Sequence, residues 1–281
     1  DVKEAARAFT GWNFKLNGDF VFRAFDHDKD EKTVLGKSGK FDGDDIIDIL
    51  LEKRETAYFI ARKAYKFFVN DTLIPEERIK WLGDRFYDSD YKILRLLEDI
   101  VRSDWFYAPE NMGNRIKSPV EYWIGIRRVL PMELEDPQVQ LKLQRALDQI
   151  LFFPPNVAGW PGGKAWIDSS SLMLRLRIPQ LIIDKGDLDV ETKDDDDQQM
   201  GMKNAHQQRL FAADVDWQPV LKQFSSLNED ETIPALADYL WQTNSKVPLN
   251  VLERYTDRHD RERYIKTAMI RLMATPEYQL C

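Results

Sequence analysis

DGDDIIDILLEKRETAYFIARKAYKFFV, residues 42–69, sets aspartates ahead of apolar residues that recur every three or four positions. That recurrence matches the 3.6-residue turn of an α-helix, so the stretch reads as two amphipathic helices in succession. Ile46, Ile47, Leu50 and Leu51 fall on one face of the first, and Tyr58, Ala61, Tyr65 and Phe68 on one stripe of the second. Asp42, Asp44 and Asp45 stand at the N-terminal end, where the helix dipole favours negative charge.

The same pattern continues on either side. Pro75 opens PEERIKWLGDRFYDS at a first helical position, where its missing N–H leaves nothing unpaired. DYKILRLLEDIVRS continues the repeat. In SPVEYWIGIRRVL, Ser118, Pro119 and Glu121 have the spacing of a capping box, as do Asp1 and Glu4. Further helices are expected over 137–151, over 168–183 with a kink or break at Pro179, and from about residue 216 onward. One segment departs from the rule: NFKLNGDFVF places Asn17-Gly18 between short apolar runs, which predicts a two-residue hairpin turn within residues 13–25. Residues 184–202 lose apolar periodicity and carry four consecutive aspartates, the pattern of a flexible acidic loop. The expected fold class is all-α, a multi-helix globular bundle with a small β-hairpin near the N-terminus. Residues 1–183 are expected to form the core domain, and 203–281 to pack helices on the same core.

Composition narrows the function. The chain has 281 residues, 31% of them charged, and a net charge of −8. Nucleic-acid affinity rests on basic patches that release counterions from phosphates, so no nucleic-acid partner is expected. No apolar run approaches the ~20 residues that cross a bilayer, so no membrane span is expected. The only cysteine is Cys281, which excludes an internal disulfide. Because the chain opens directly on DVKEAARAFTGW, it reads as the C-terminal part of a longer protein, whose N-terminal part is then a partner.

Two clusters are candidate sites. Asp26, Asp28 and Asp30 alternate along one loop, a spacing that aims oxygens at one hard cation, with calcium the natural choice. The loop is not an EF-hand, since Glu31 and Lys37 stand where that motif needs glycine and glutamate. The competing account is a solvated turn over Asp26–Glu31 after the hairpin, and a further one is that His27 and Asp28 pair structurally. The second cluster is PPNVAGWPGGKAWI, residues 154–167. Trp160 and Trp166 are candidates for an aromatic platform that stacks a sugar or a proline-rich ligand. Alternatively, Pro154, Pro155 and Pro161 stiffen a corner whose tryptophans fill the gap between the helix ending near Leu151 and the one starting near Asp168. No nucleophile elbow, Walker loop, dinucleotide fingerprint or zinc-protease motif is present.

Several segments in order carry a resemblance: DVKEAARAFTGW, HDKDEKTVLG, FDGDDIIDILL, TAYFIARKAYKFFV, IKSPVEYWIGIRRVL, PPNVAGWPGGKAWI and TPEYQL. Together they resemble the bacterial family known as domain of unknown function 1800, from residue 1 to the C-terminus. The family's His-Asp-x-Gly-x-Lys-Thr pattern is met by His27, Asp28, Lys32 and Thr33, with Asp30 in place of the glycine. The resemblance implies longer members, often with export signals, and hence an extracytoplasmic location: periplasmic, outer-membrane-associated or secreted. It carries no established catalytic residues. The expected function is a binding or assembly module of the cell envelope or secreted fraction, with another envelope or secreted protein as a further candidate partner. The alternative is a hydrolase or other enzyme acting on an envelope or extracellular polymer.

Overall fold

Asp42 does start a helix, α2 (Gly43–Leu51), and does so by a reciprocal cap. Its carboxylate accepts from the Asp44 and Asp45 amides at 2.9 and 3.2 Å, while Asp45 accepts from the Asp42 amide at 2.9 Å. The computed structural model describes residues 1–184, 213–244, 246 and 248–281. These divide into two units, Asp1–Tyr107 and Ala108–Cys281. The division falls inside the span 1–183 that the sequence reads as one core domain.

In the first unit, α1 (Val2–Ala8) precedes a ribbon of β1 (Trp12–Phe14) and β2 (Phe20–Phe22). The Asp1 side chain does not cap α1 but accepts from the Leu35 amide at 3.0 Å. The hairpin sits inside the expected span, with a different turn. Gly18 donates to Lys15 O and Lys15 to Asp19 O, and Gly18 has φ +88°. This is a three-residue loop closed by a left-handed glycine rather than a two-residue turn. A second ribbon, β3 (Lys32–Val34) and β4 (Lys37–Gly39), turns through Leu35 and Gly36, both with positive φ. Leucine is a poor signal for that turn, which is why the sequence did not announce it.

Helix α2 buries Ile46 and Ile49 with Ala8 and Val34, while Ile47 and Leu50 face solvent. The buried stripe is therefore rotated from the one expected. The same holds in α3 (Arg54–Phe68), where Ala57, Ala61 and Tyr65 pack against α4 (Glu76–Asp88) and α5 (Ile93–Val101), and Phe68 is exposed. Tyr58 is partly buried, and its ring lies over Gly83 of α4, where a Cβ would come within 2.2 Å of it. Its hydroxyl donates to Asp84 at 2.6 Å.

In the second unit, Ser118 and Glu121 form the expected capping box of α6 (Pro119–Val129). There follow β5 (Met132–Leu134), α7 (Gln138–Ala146), α8 (Ser169–Asp184), β6 (Ala213–Val215), α9 (Gln218–Phe224), α10 (Glu229–Leu240), α11 (Leu249–Glu253) and α12 (Arg261–Met273). Strands β5 and β6 pair antiparallel, Met132 opposite Val215. One core joins Tyr122, Leu143, Ile178, Val220, Leu236 and Met269, so the C-terminal helices share it with α6, α7 and α8. Helix α8 runs through Pro179 without a break. Apart from Asp184 at the end of α8, the acidic run 184–202 lies outside the described residues. The described chain is mostly helical with small two-stranded sheets.

Candidate functional site

The loop after β2 is built around His27 and Asp28. His27 Nδ1 lies 2.9 Å from the Thr10 carbonyl oxygen, which only accepts, so Nδ1 carries the hydrogen. Nε2 is then the lone-pair nitrogen of the neutral ring. The Phe22 ring packs beside the imidazole at 5.4 Å. Gly11 makes this approach possible: it has φ +85°, and a Cβ there would meet Arg23 O at 2.8 Å. Thr10 Oγ1 accepts from the Asp28 amide at 2.8 Å and donates to Arg7 O at 2.6 Å.

Asp28 is committed. Arg7 grips its carboxylate with Nε at 2.7 Å and a terminal nitrogen at 3.2 Å, and the Asp30 amide donates to it at 3.0 Å. The hydrogen bond from Arg7, with the Asp30 amide next, pulls the Asp28 carboxyl down to about 2. Lys32 on β3 is fully buried, and its ammonium donates to the carbonyls of Asp28 and Asp30 at 2.5 and 3.0 Å. Those carbonyls are the kind of ligand a calcium loop offers its ion; here a lysine ammonium holds them. Asp26 and Asp30 are exposed. The structure thus turns Asp28 toward Arg7 rather than toward a cation shared with Asp26 and Asp30. Among the described residues, no three His, Cys, Asp or Glu side chains form a metal-ligand group. Asp30 takes no positive φ, so the aspartate in the family's glycine position needs no left-handed backbone.

The two tryptophans have separate environments. Trp166 is 7% exposed, and its carbonyl accepts from Ser171 Oγ at 3.1 Å. Asp168 in turn accepts from the Ser171 amide at 2.7 Å at the start of α8. Trp160 is half-buried. With Trp166 enclosed, a platform of two open rings is not presented. Gly159, Gly162 and Gly163 take positive φ, which turns the chain as a rigid corner requires.

What sequence reasoning missed is an exposed aromatic surface on the β1–β2 ribbon. Phe14 and Phe20 are paired in register at 72% and 61% exposure, next to the Trp12–Phe22 pair. Leu16 and Phe25 are fully exposed. The available signal was the alternation of Trp12, Phe14 and Leu16, which puts apolar side chains on one face of a strand. No helix among the described residues is long and apolar enough to cross a membrane.

A family model described as protein of unknown function (DUF1800) matches residues 1–280. No curated protein and no solved structure matches the chain.

Proposed function

The chain belongs to the DUF1800 family of proteins of unknown function, and from its exposed aromatic ribbon we propose that it is a binding or assembly module acting outside the cytoplasm, in the cell envelope or the secreted fraction. The Phe14–Phe20 pair carries this reading. Two aromatic rings opposite each other on a two-stranded ribbon, flanked by Trp12, Leu16 and Phe22, form a contiguous patch rather than scattered surface residues. Each ring gains on the order of 150–250 Å² of burial when a partner covers it. The partner we assign is the N-terminal part of the longer protein that the family resemblance implies, and the extracytoplasmic setting rests on the same resemblance.

Radical footprinting read by mass spectrometry tests the assignment. Trp12, Phe14, Phe20 and Phe22 are expected to be labelled in residues 1–281 alone and protected in the longer protein. Equal labelling in the two overturns it.

A hydrolase acting on an envelope or extracellular polymer is the second reading, favoured by His27, whose Nδ1 is fixed by Thr10 and whose Nε2 lone pair is therefore oriented. That reading needs a cleft in which His27 meets a carboxylate. Asp28, its sequence neighbour, is engaged by Arg7. Loss of a polymer-degrading activity in His27→Gln, with the fold intact, would restore the enzyme.

A further inference from the structure

Arg175 of α8 is fully buried, yet part of its guanidinium has no acceptor to meet. Nη1 donates to Lys117 O at 2.9 Å, and the guanidinium carbon lies 5.4 Å from the centre of the Tyr122 ring. Nε and Nη2 are closed off from solvent and find no hydrogen-bond acceptor among the described residues. A guanidinium keeps its proton in a protein, so this buried group is a cation.

Nε and Nη2 form one edge of the guanidinium, where two N–H bonds run side by side as a fork that fits an anion. Elsewhere in this chain the same edge shows what it takes. Arg7 turns Nε and Nη2 to the two oxygens of Asp28 at 2.7 and 3.2 Å, and Arg85 turns the same pair to Asp99 at 2.8 Å each. Those two forks reach solvent; the fork of Arg175 does not. It is therefore the one with the greatest need of an anion, because a charge inside a protein is costly unless it is paired.

The surroundings do not supply that charge. Among the described residues no carboxylate accepts from Arg175. The neighbouring phenol of Tyr122 stays protonated, since burial raises it well above its usual value. Lys117, whose carbonyl takes Nη1, brings a second ammonium rather than a counter-charge. A water molecule bridges orphaned donors but leaves the charge unpaired.

We infer that the Arg175 fork binds a halide-sized monovalent anion in the layer where α6 meets α8. One guanidinium offers a single positive charge along this edge, which matches a monovalent ion, and the closed surroundings favour a small one that can shed its hydration shell. The site belongs to the second unit and does not rest on the ribbon of the first or on that ribbon's partner.

Thermal unfolding of the chain in sodium bromide, against sodium gluconate of equal ionic strength, tests the inference. Gluconate is too large for an enclosed fork. The midpoint is expected to rise with bromide by roughly 3–5 °C for each tenfold of ion above its dissociation constant. Arg175→Met keeps an apolar stem but removes the fork and its charge, and is expected to lose most of that rise. A crystal grown in bromide reads the site directly, with anomalous scattering expected beside Nε and Nη2 of Arg175. A water molecule at that place, or an equal bromide response in the two proteins, overturns the inference. Should Arg175→Met not fold, the bromide crystal decides alone.

Discussion

The hydroxyl of Tyr122 donates to the main-chain carbonyl of Arg175, the residue four positions before Pro179 in α8. Proline has no N–H, so that carbonyl lacks its helical donor, and a phenol from α6 replaces it. Tyr122 is fully buried, and its ring also receives the Arg175 guanidinium at 5.4 Å, while a terminal nitrogen of Arg175 donates to Lys117 O at 2.9 Å. A proline that should interrupt α8 is thus accommodated by a residue on another helix.

Tyr122→Phe leaves a buried carbonyl unpaired and should cost about 1–3 kcal/mol. Pro179→Ala restores an N–H at that position, so in its background Tyr122→Phe should cost measurably less. Urea unfolding of the four proteins in this double-mutant cycle gives the coupling. Equal costs in both backgrounds would show that the hydroxyl is not the replacement donor.

The pH response of the second unit follows from Lys117. Burial lowers its ammonium from 10.5 to about 8, while Nζ donates to Tyr278 O at 2.7 Å. Between those values the unfolded chain binds the proton that the folded chain gives up, so stability rises with pH. Burial raises the Tyr278 hydroxyl above its usual 10.0, which takes stability away as pH climbs beyond that value. Burial also raises the Cys281 thiol above its usual 9.0, which offsets the gain beyond that pH, so the urea midpoint should rise from about pH 8 to 9, level off, and fall above about 10. Lys117→Met should flatten the rise; a midpoint that declines steadily from pH 8 in the unaltered protein contradicts the account.

Asp28 sets an acid limit in the first unit. Its carboxyl, lowered from 3.8 to about 2, contributes stability at and above the unfolded value and loses it as pH falls toward the folded one. Asp28→Asn should weaken the protein at neutral pH and reduce the slope of the acid transition in that window. An unchanged acid transition would mean that Arg7 gains nothing from the charge.

Calcium is expected to leave the melting curve where chelator leaves it. Asp28 is occupied by Arg7, and the Lys32 ammonium already holds the Asp28 and Asp30 carbonyls. A midpoint that climbs with calcium concentration, as ligand linkage requires of a bound ion, would return Asp26, Asp28 and Asp30 to consideration as a cation site.

The proline-glycine corner separates its two tryptophans energetically. Trp166→Ala, at a buried position, should cost roughly 3–5 kcal/mol. Trp160→Ala, at a half-buried one, should cost less. Thermal unfolding of both variants ranks them, and a larger loss at Trp160 would reverse the assignment of the buried plug.

How far the sequence reaches can be judged at particular residues. The capping box at Ser118 and Glu121 was legible because both halves of the cap lie in one short stretch. The stripes of α2 and α3 were legible as helix, with Ile46, Ala61 and Tyr65 buried as expected, but Ile47, Leu50 and Phe68 lie outside, because periodicity does not say which neighbour arrives. Gly83, further along the chain on α4, is what leaves room for the Tyr58 ring. The candidate cation loop was recognisable as a polar cluster, yet its outcome depended on Arg7 and Lys32, whose roles appear only when α1 and β3 converge on it. The pairing of β5 with β6 was hidden for the same reason, since each strand is short and its partner lies beyond α8.

The seam near the start of the second unit also dictates an order of events during synthesis. The Lys117 amide donates to Gln279 O, Arg115 and Cys281 exchange main-chain hydrogen bonds, and the Lys117 ammonium reaches Tyr278 O, 161 residues further along. In the first unit, by contrast, Tyr91 closes onto Leu51 across 40 residues. A ribosome can release everything the first unit needs while the second still lacks the segment around Leu280 that bridges to Ile116. Contacts of such long sequence separation are slow to form, so the apolar face that α6 turns to its core must wait until residues 278–281 are translated, and a chaperone that shields α6 until then would act where the delay is longest.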